Sequence, residues 1–115
     1  MQATAQAERL DRMFFALSDS HRREMLDRLG RGATSASELA EQLDIALPSA
    51  VKHLAVLEQS GFVASEKTGR VRMYAVEPKA IRAMDAWLAR HKKALNAQFD
   101  RLELHLAAKS RKPRP

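Results

Sequence analysis

A mainly helical fold with one small β-hairpin, in the order α-α-α-α-β-β-α, is what this sequence predicts. Three observations lead there. Apolar residues recur at three-and-four spacing from residue 6 to residue 59, in segments bounded by capping residues and glycines. The period changes to that of strands over "FVASEKTGRVRMYAV", residues 62–76. Beyond Pro78 the helical spacing resumes and runs to about Leu106. With 115 residues, 45% of them hydrophobic, the chain has the length of one domain with a real core, only modestly stable without a partner subunit.

Each element has its own signals. In "QAERLDRMFFAL", Leu10, Met13, Phe14 and Leu17 form an apolar face between charged residues, a first amphipathic helix. "SDSHRREMLDRLGRG" offers Ser18 or Asp19 as N-cap, Met25, Leu26 and Leu29 as the apolar face, and Gly30 and Gly32 as stops. In "SASELAEQLDI", Ser35 and Glu38 stand at capping-box spacing ahead of Leu39 and Leu43, a short third helix. After the break at "DIAL", Pro48 fits the first turn of a fourth helix, where its missing N–H costs nothing. Leu47, Ala50, Leu54 and Leu57 then make one inward stripe that ends by Gly61.

Phe62, Val63, Val71, Tyr74 and Val76 are strand formers, and Thr68-Gly69 supplies the turn of a two-stranded hairpin with a basic tip. The last helix, about 28 residues at 1.5 Å each, would extend ~42 Å, longer than a small domain is wide. Its stripe of Met84, Leu88, Leu95, Phe99 and Leu102, with Trp87 beside it, would outrun its own domain. A symmetric dimer is the simplest cover, with Leu10 and Phe14 of the first helix joining the interface. Residues 1–106 are therefore expected to form one domain for binding and dimerisation, and 107–115 a basic, disordered tail.

Composition narrows the partners. The formal net charge is +6 and the sequence pI about 10.2, which favours anionic partners. Four of the 20 basic residues (Lys109, Arg111, Lys112, Arg114) lie in the last seven positions, leaving 16 against 14 acidic residues and a net of +2 before them. The placement of charge must decide. There are 0 cysteines, which excludes disulfides, thiolate metal sites and a cysteine nucleophile. The first residues lack a basic-then-apolar leader, and no apolar run approaches the ~20 residues that span a bilayer, so a cytoplasmic protein with no membrane partner is expected.

Three helices, a fourth after a tight turn, and a basic hairpin make a winged helix-turn-helix, whose second motif helix lies in the DNA major groove. With the stripe turned inward, Ser49, Lys52 and His53 fall broadly outward, near Pro48 at the helix start, where they would meet bases and phosphates. Val51 is placed either to pack inward or to touch a thymine methyl. Ser49 has its own backbone as a rival partner to phosphate. His53 is divided between a phosphate and a local role, capping backbone and packing on the wing. Lys67, Arg70 and Arg72 flank the hairpin tip, where long cations reach the minor groove or the adjacent backbone.

Together, "FFALSDSHRREMLDRL", "SASELAEQLDIALPSAVKHLAVLEQSGFV" and "SEKTGRVRMYAVEP" resemble the ArsR/SmtB family of bacterial repressors, from about residue 8 to 104, and most closely its cysteine-free members. The resemblance implies a homodimeric winged-helix protein that binds an inverted-repeat operator in double-stranded DNA and releases it when an effector binds. The effector is not encoded in any motif of this chain. Many family members have serines at the positions of Ala46 and Val51, one of them capping the recognition helix, so sequence preference should differ here. The family's thiolate motif corresponds to "SASELA", which holds no such ligand.

Other readings are weaker. The family's zinc sites on the last helix direct attention to Asp85, His91, Asp100, Glu103 and His105, but Ala89 stands where a carboxylate would precede His91, and the two histidines are fourteen apart. Exposed polar residues of a helix explain them better, and neither a metal nor another cofactor is expected. His21 with Glu24 and His53 with Glu58 lack the setting that builds a pocket, so no enzyme is expected. A winged-helix module that docks a protein on the same surface is the rival from another class, and the basic wing tip argues against it.

Overall fold

A computed structural model describes residues 2–110. The first helix, α1, runs over Gln2–Leu17 and starts earlier than its apolar spacing does. Helix α2 (Ser20–Leu29) opens on Asp19, whose carboxylate accepts the backbone N–H of Arg22, and closes at Gly30. Strand β1 (Thr34–Ser35) leads directly into α3 (Ala36–Leu43), where the Ser35 hydroxyl accepts the Glu38 N–H at 3.3 Å. Only that half of the expected capping box forms. The Glu38 carboxylate accepts instead from the Thr34 hydroxyl, one residue further back.

Asp44, at φ 54°, turns the chain left-handed after α3, and α4 (Leu47–Gln59) begins three residues later. The wing is β2 (Val63–Thr68) and β3 (Val71–Val76), paired from Val63↔Val76 to Thr68↔Val71. Two residues, Gly69 and Arg70, close it, and Gly69 at φ 65° takes the backbone region that side chains resist in so tight a loop. Helix α5 (Pro78–Ser110) follows.

The sheet has three strands in the order β1-β3-β2, where the sequence predicts two. Thr34 pairs with Tyr74 and Ser35 with Met73, so the loop before α3 is tied to the wing's inner strand. A two-residue strand has no period of its own to reveal it.

The part of the chain up to Met84 closes a core from the helices and the two wing strands. Met13, Met25, Leu39, Leu54, Leu57 and Phe62 are its largest fully buried side chains, joined by Tyr74, Ala80 and Met84. Each fully buried Leu contributes about 1.5–3 kcal/mol relative to exposure. Leu47 departs from the expected inward stripe and is 46% exposed, because the first turn of α4 projects past the core that takes Ala50, Leu54 and Leu57.

From Asp85 to Ser110 the chain is helix alone. The helix continues to Ser110, so residues 107–110 are helical rather than part of a disordered tail, and 111–115 lie outside the described residues. Leu88, Leu95, Phe99, Leu102 and Leu106 are all at least half exposed along it. No helix among the described residues is long and apolar enough to cross a membrane.

Candidate nucleic-acid interface

Helix α4 is aimed by what it buries. At 100° per residue, Ala50, Leu54 and Leu57 share one side, and Pro48, Lys52 and Ala55 fall opposite. Pro48 and Lys52 are exposed, Val51 is 45% exposed, and Ser49 is half-buried on the flank. Of the two places open to Val51, the outward one is therefore taken. Ala46 sits at the N-cap in extended backbone, with no side-chain bond to the helix. The free N–H groups of the first turn and the positive end of the helix dipole consequently point outward beside Lys52, an arrangement that suits a phosphate.

His53 lies elsewhere. It is three residues after Ala50, so it sits about 60° from the core direction and turns toward α2. There Arg22 Nη1 stands 3.3 Å from His53 Nδ1. Arginine has only donors, so this contact makes Nδ1 the acceptor and leaves the ring proton on Nε2. Arg22 is 92% buried by the fold, its Nε donating to the Ala16 carbonyl at 2.7 Å and its Nη2 to the Phe15 carbonyl at 2.9 Å. It thereby ties α2 to the carbonyls at the end of α1 while bracing α4 through His53. Neither a backbone cap nor the wing is what His53 meets.

Sequence reading missed Arg22, although a signal was present: Arg22, Met25 and Leu29 follow each other at helical spacing, which puts a cation on the apolar face of α2. Asp19 completes the cluster, with its Oδ2 3.8 Å from His53 Nδ1. Its carboxyl is held below the ordinary 3.8: burial works in the opposite direction and is outweighed by the Arg22 backbone N–H, the Arg22 guanidinium and the His21 backbone N–H.

Asp19, His21 and His53 can each bring one ligand atom within 4.8 Å of the others, the one such group among the described residues. A divalent cation there would face the Arg22 guanidinium and the positive end of α2. That charge opposes a metal. On α5, His91 stacks on Trp87 with ring centroids 4.0 Å apart and has its Nδ1 2.9 Å from the Trp87 carbonyl oxygen.

On the wing, Lys67 and Arg72 are direct cross-strand partners, so both side chains leave the same face near the tip, and Arg70 sits in the loop itself. All three are exposed. Among the described residues no ion pair or side-chain hydrogen bond engages Lys52, Lys67 or Arg70, whereas Arg72 donates to Ser65 Oγ at 3.0 Å. The residues named for a dimer also divide. Met84 is only 8% exposed and Leu10 packs against the core, while Phe14, Leu88, Leu95, Phe99 and Leu102 remain substantially exposed and Trp87 is half-buried.

Comparison with known proteins agrees with this geometry. The sequence model of a family described as a helix-turn-helix domain matches residues 17–66, which runs from the end of α1 into the wing. The HTH-type transcriptional regulator Rv2034 of Mycobacterium tuberculosis is 34% identical over 74 residues, covering 64% of this chain and 69% of that protein. The transcriptional repressor SdpR of Bacillus subtilis is 29% identical over 79 residues, covering 69% and 88%. Among solved structures, that of an ArsR family transcriptional regulator, RHA00566, superposes with a TM-score of 0.73 at 44% identity, covering 78% of this chain and 93% of that one. With that identity spread over nearly the whole of the related structure, the chain belongs to the ArsR family of helix-turn-helix transcriptional regulators.

Proposed function

We propose that this protein is a cytoplasmic, non-enzymatic transcriptional repressor that reads an inverted-repeat operator as a homodimer and needs no thiolate-bound metal to do so. The observation that carries the reading is the outward face of α4, with Pro48, Ser49, Val51 and Lys52 around an uncapped helix start, set in the same body as a wing whose Lys67 and Arg70 side chains make no ion pair or hydrogen bond among the described residues. Lys52 and the first-turn N–H groups meet phosphates or a guanine edge, Val51 offers a methyl surface to thymine, and the wing cations grip the flanking backbone. His53 and Arg72 serve the interface from behind, through Arg22 and Ser65.

The dimer rests on α5. Most helical stability in proteins comes from packing an apolar face, and the stripe Leu88, Leu95, Phe99 and Leu102 repeats at intervals of seven, four and three that bring it along one side. A second copy of the same stripe is its simplest cover. Two α4 helices would then enter successive major grooves about 34 Å apart. The repressor SdpR among the relatives supports repression as the sense of regulation.

The test is selection of duplexes from a random DNA pool by chelator-treated protein at two salt concentrations. An enriched inverted repeat, with half-sites about one helical turn apart, is the expected result. No enrichment at either salt would overturn the reading in favour of a surface that docks a protein.

A further inference from the structure

Glu58, on the last turn of α4, and Arg72, on β3, carry opposite charges without touching each other. Ser65 of β2 stands between them. Its hydroxyl lies 3.1 Å from both Oε1 and Oε2 of Glu58, and Arg72 Nη1 donates to it at 3.0 Å. One hydroxyl proton and its lone pairs allow both bonds at once, with the carboxylate taking the proton and the guanidinium supplying one. A cation on one side and an anion on the other strengthen the chain. Among the described residues, this is the side-chain hydrogen bonding that joins α4 to the wing.

The register shows what the chain does to the wing tip. Lys67 is the direct partner of Arg72, and two cations on one face repel. With Arg72 bonded to Ser65, Lys67 is the cation of that pair whose side chain makes no ion pair or hydrogen bond among the described residues. Glu58 is also an anion on the element that approaches DNA, a costly choice unless it holds something.

We propose that Glu58, Ser65 and Arg72 form a positioning relay that sets the wing against α4, so that Arg72 serves DNA binding by placing Lys67 and Arg70 rather than by touching phosphate. The inference rests on the DNA-reading proposal above. It makes a prediction opposite in sign to simple electrostatics. Removing the Glu58 charge should strengthen DNA binding by Coulomb's law alone, and should weaken it if the relay operates.

The experiment is a titration of wild type, Glu58→Gln, Ser65→Ala, Arg72→Gln, the Glu58→Gln/Ser65→Ala double variant and Lys52→Ala against one selected duplex over a range of salt, with thermal melting of each to verify folding. Glu58→Gln and Ser65→Ala should each lose about 3- to 10-fold in affinity, and the double variant no more than the worse single. Arg72→Gln should weaken binding with the salt slope unchanged, whereas Lys52→Ala should lower that slope by about 1. Glu58→Gln binding at or above wild type, or Arg72→Gln lowering the slope by about 1, would overturn the relay while Lys52→Ala still upholds DNA reading. Failure of wild type to bind any duplex would instead overturn the functional proposal, and the relay's role in it.

Discussion

The chain up to Met84 and the helix from Asp85 onward handle apolar residues in opposite ways. In the first, Met13, Leu39, Leu54, Leu57 and Phe62 are fully enclosed in a cluster drawn from seven elements. In the second, Leu88, Leu95, Phe99 and Leu102 repeat just as regularly and remain at least half exposed. The same helical spacing therefore means two things. Where a chain folds back on itself the stripe becomes core; where it runs on as a lone helix the stripe is an interface waiting for another chain.

The contrast can be broken from either side. Leu54→Ala should cost about 2–5 kcal/mol, read as a lower denaturant midpoint, because a cavity opens at the centre of the enclosed core. Leu95→Glu with Phe99→Glu should leave that core intact, with hydrogen-exchange protection of Leu39, Leu54 and Leu57 unchanged. The same pair should reduce the sedimenting mass to one chain and weaken binding to a full inverted repeat by about 100-fold, since two linked half-sites become independent.

Smaller effects sharpen the account of the body. Asp19→Ala should destabilise by about 1 kcal/mol at neutral pH through the lost N-cap of α2. Because the folded state lowers the Asp19 pKa, that contribution is present above the ordinary 3.8 and disappears as pH falls through the lower folded value. The gap between Asp19→Ala and wild type should therefore close in acid, measured by urea melts down to pH 3. Ala46→Ser should stabilise by about 0.5–1 kcal/mol, since the extended backbone at φ −67°, ψ 144° suits a capping hydroxyl that α4 lacks.

Periodicity made the five helices and the hairpin legible, the cap at Ser35 could be read from its capping-box spacing, and that of α2 was narrowed to Ser18 or Asp19, of which Asp19 caps. What escaped depends on contacts distant in the chain. β1 exists only because Thr34 and Ser35 meet Tyr74 and Met73, some forty residues on. Arg22 reaches back across the end of α1 and forward to His53, a partner 31 residues away. A helical wheel separates inward from outward but not outward from sideways, which is why His53 stayed divided between a phosphate and a local role, and why its contact with Arg22 of α2 was not legible. Lys52, Lys67 and Arg70 needed no such information, because exposed cations on short-range elements are visible in the pattern itself.

On the proposed reading, the enclosed body reads DNA and the exposed helix pairs two bodies on it. The most direct test of that reading is the binding stoichiometry and salt slope of the purified protein on a selected inverted repeat, alongside a duplex carrying one half-site. Two chains bound cooperatively to the repeat, with the half-site bound about 100-fold more weakly and the slope lowered by about 1 per half-site in Lys52→Ala, is the result expected. A single chain bound equally well to both duplexes, or a slope that ignores Lys52, would contradict the account.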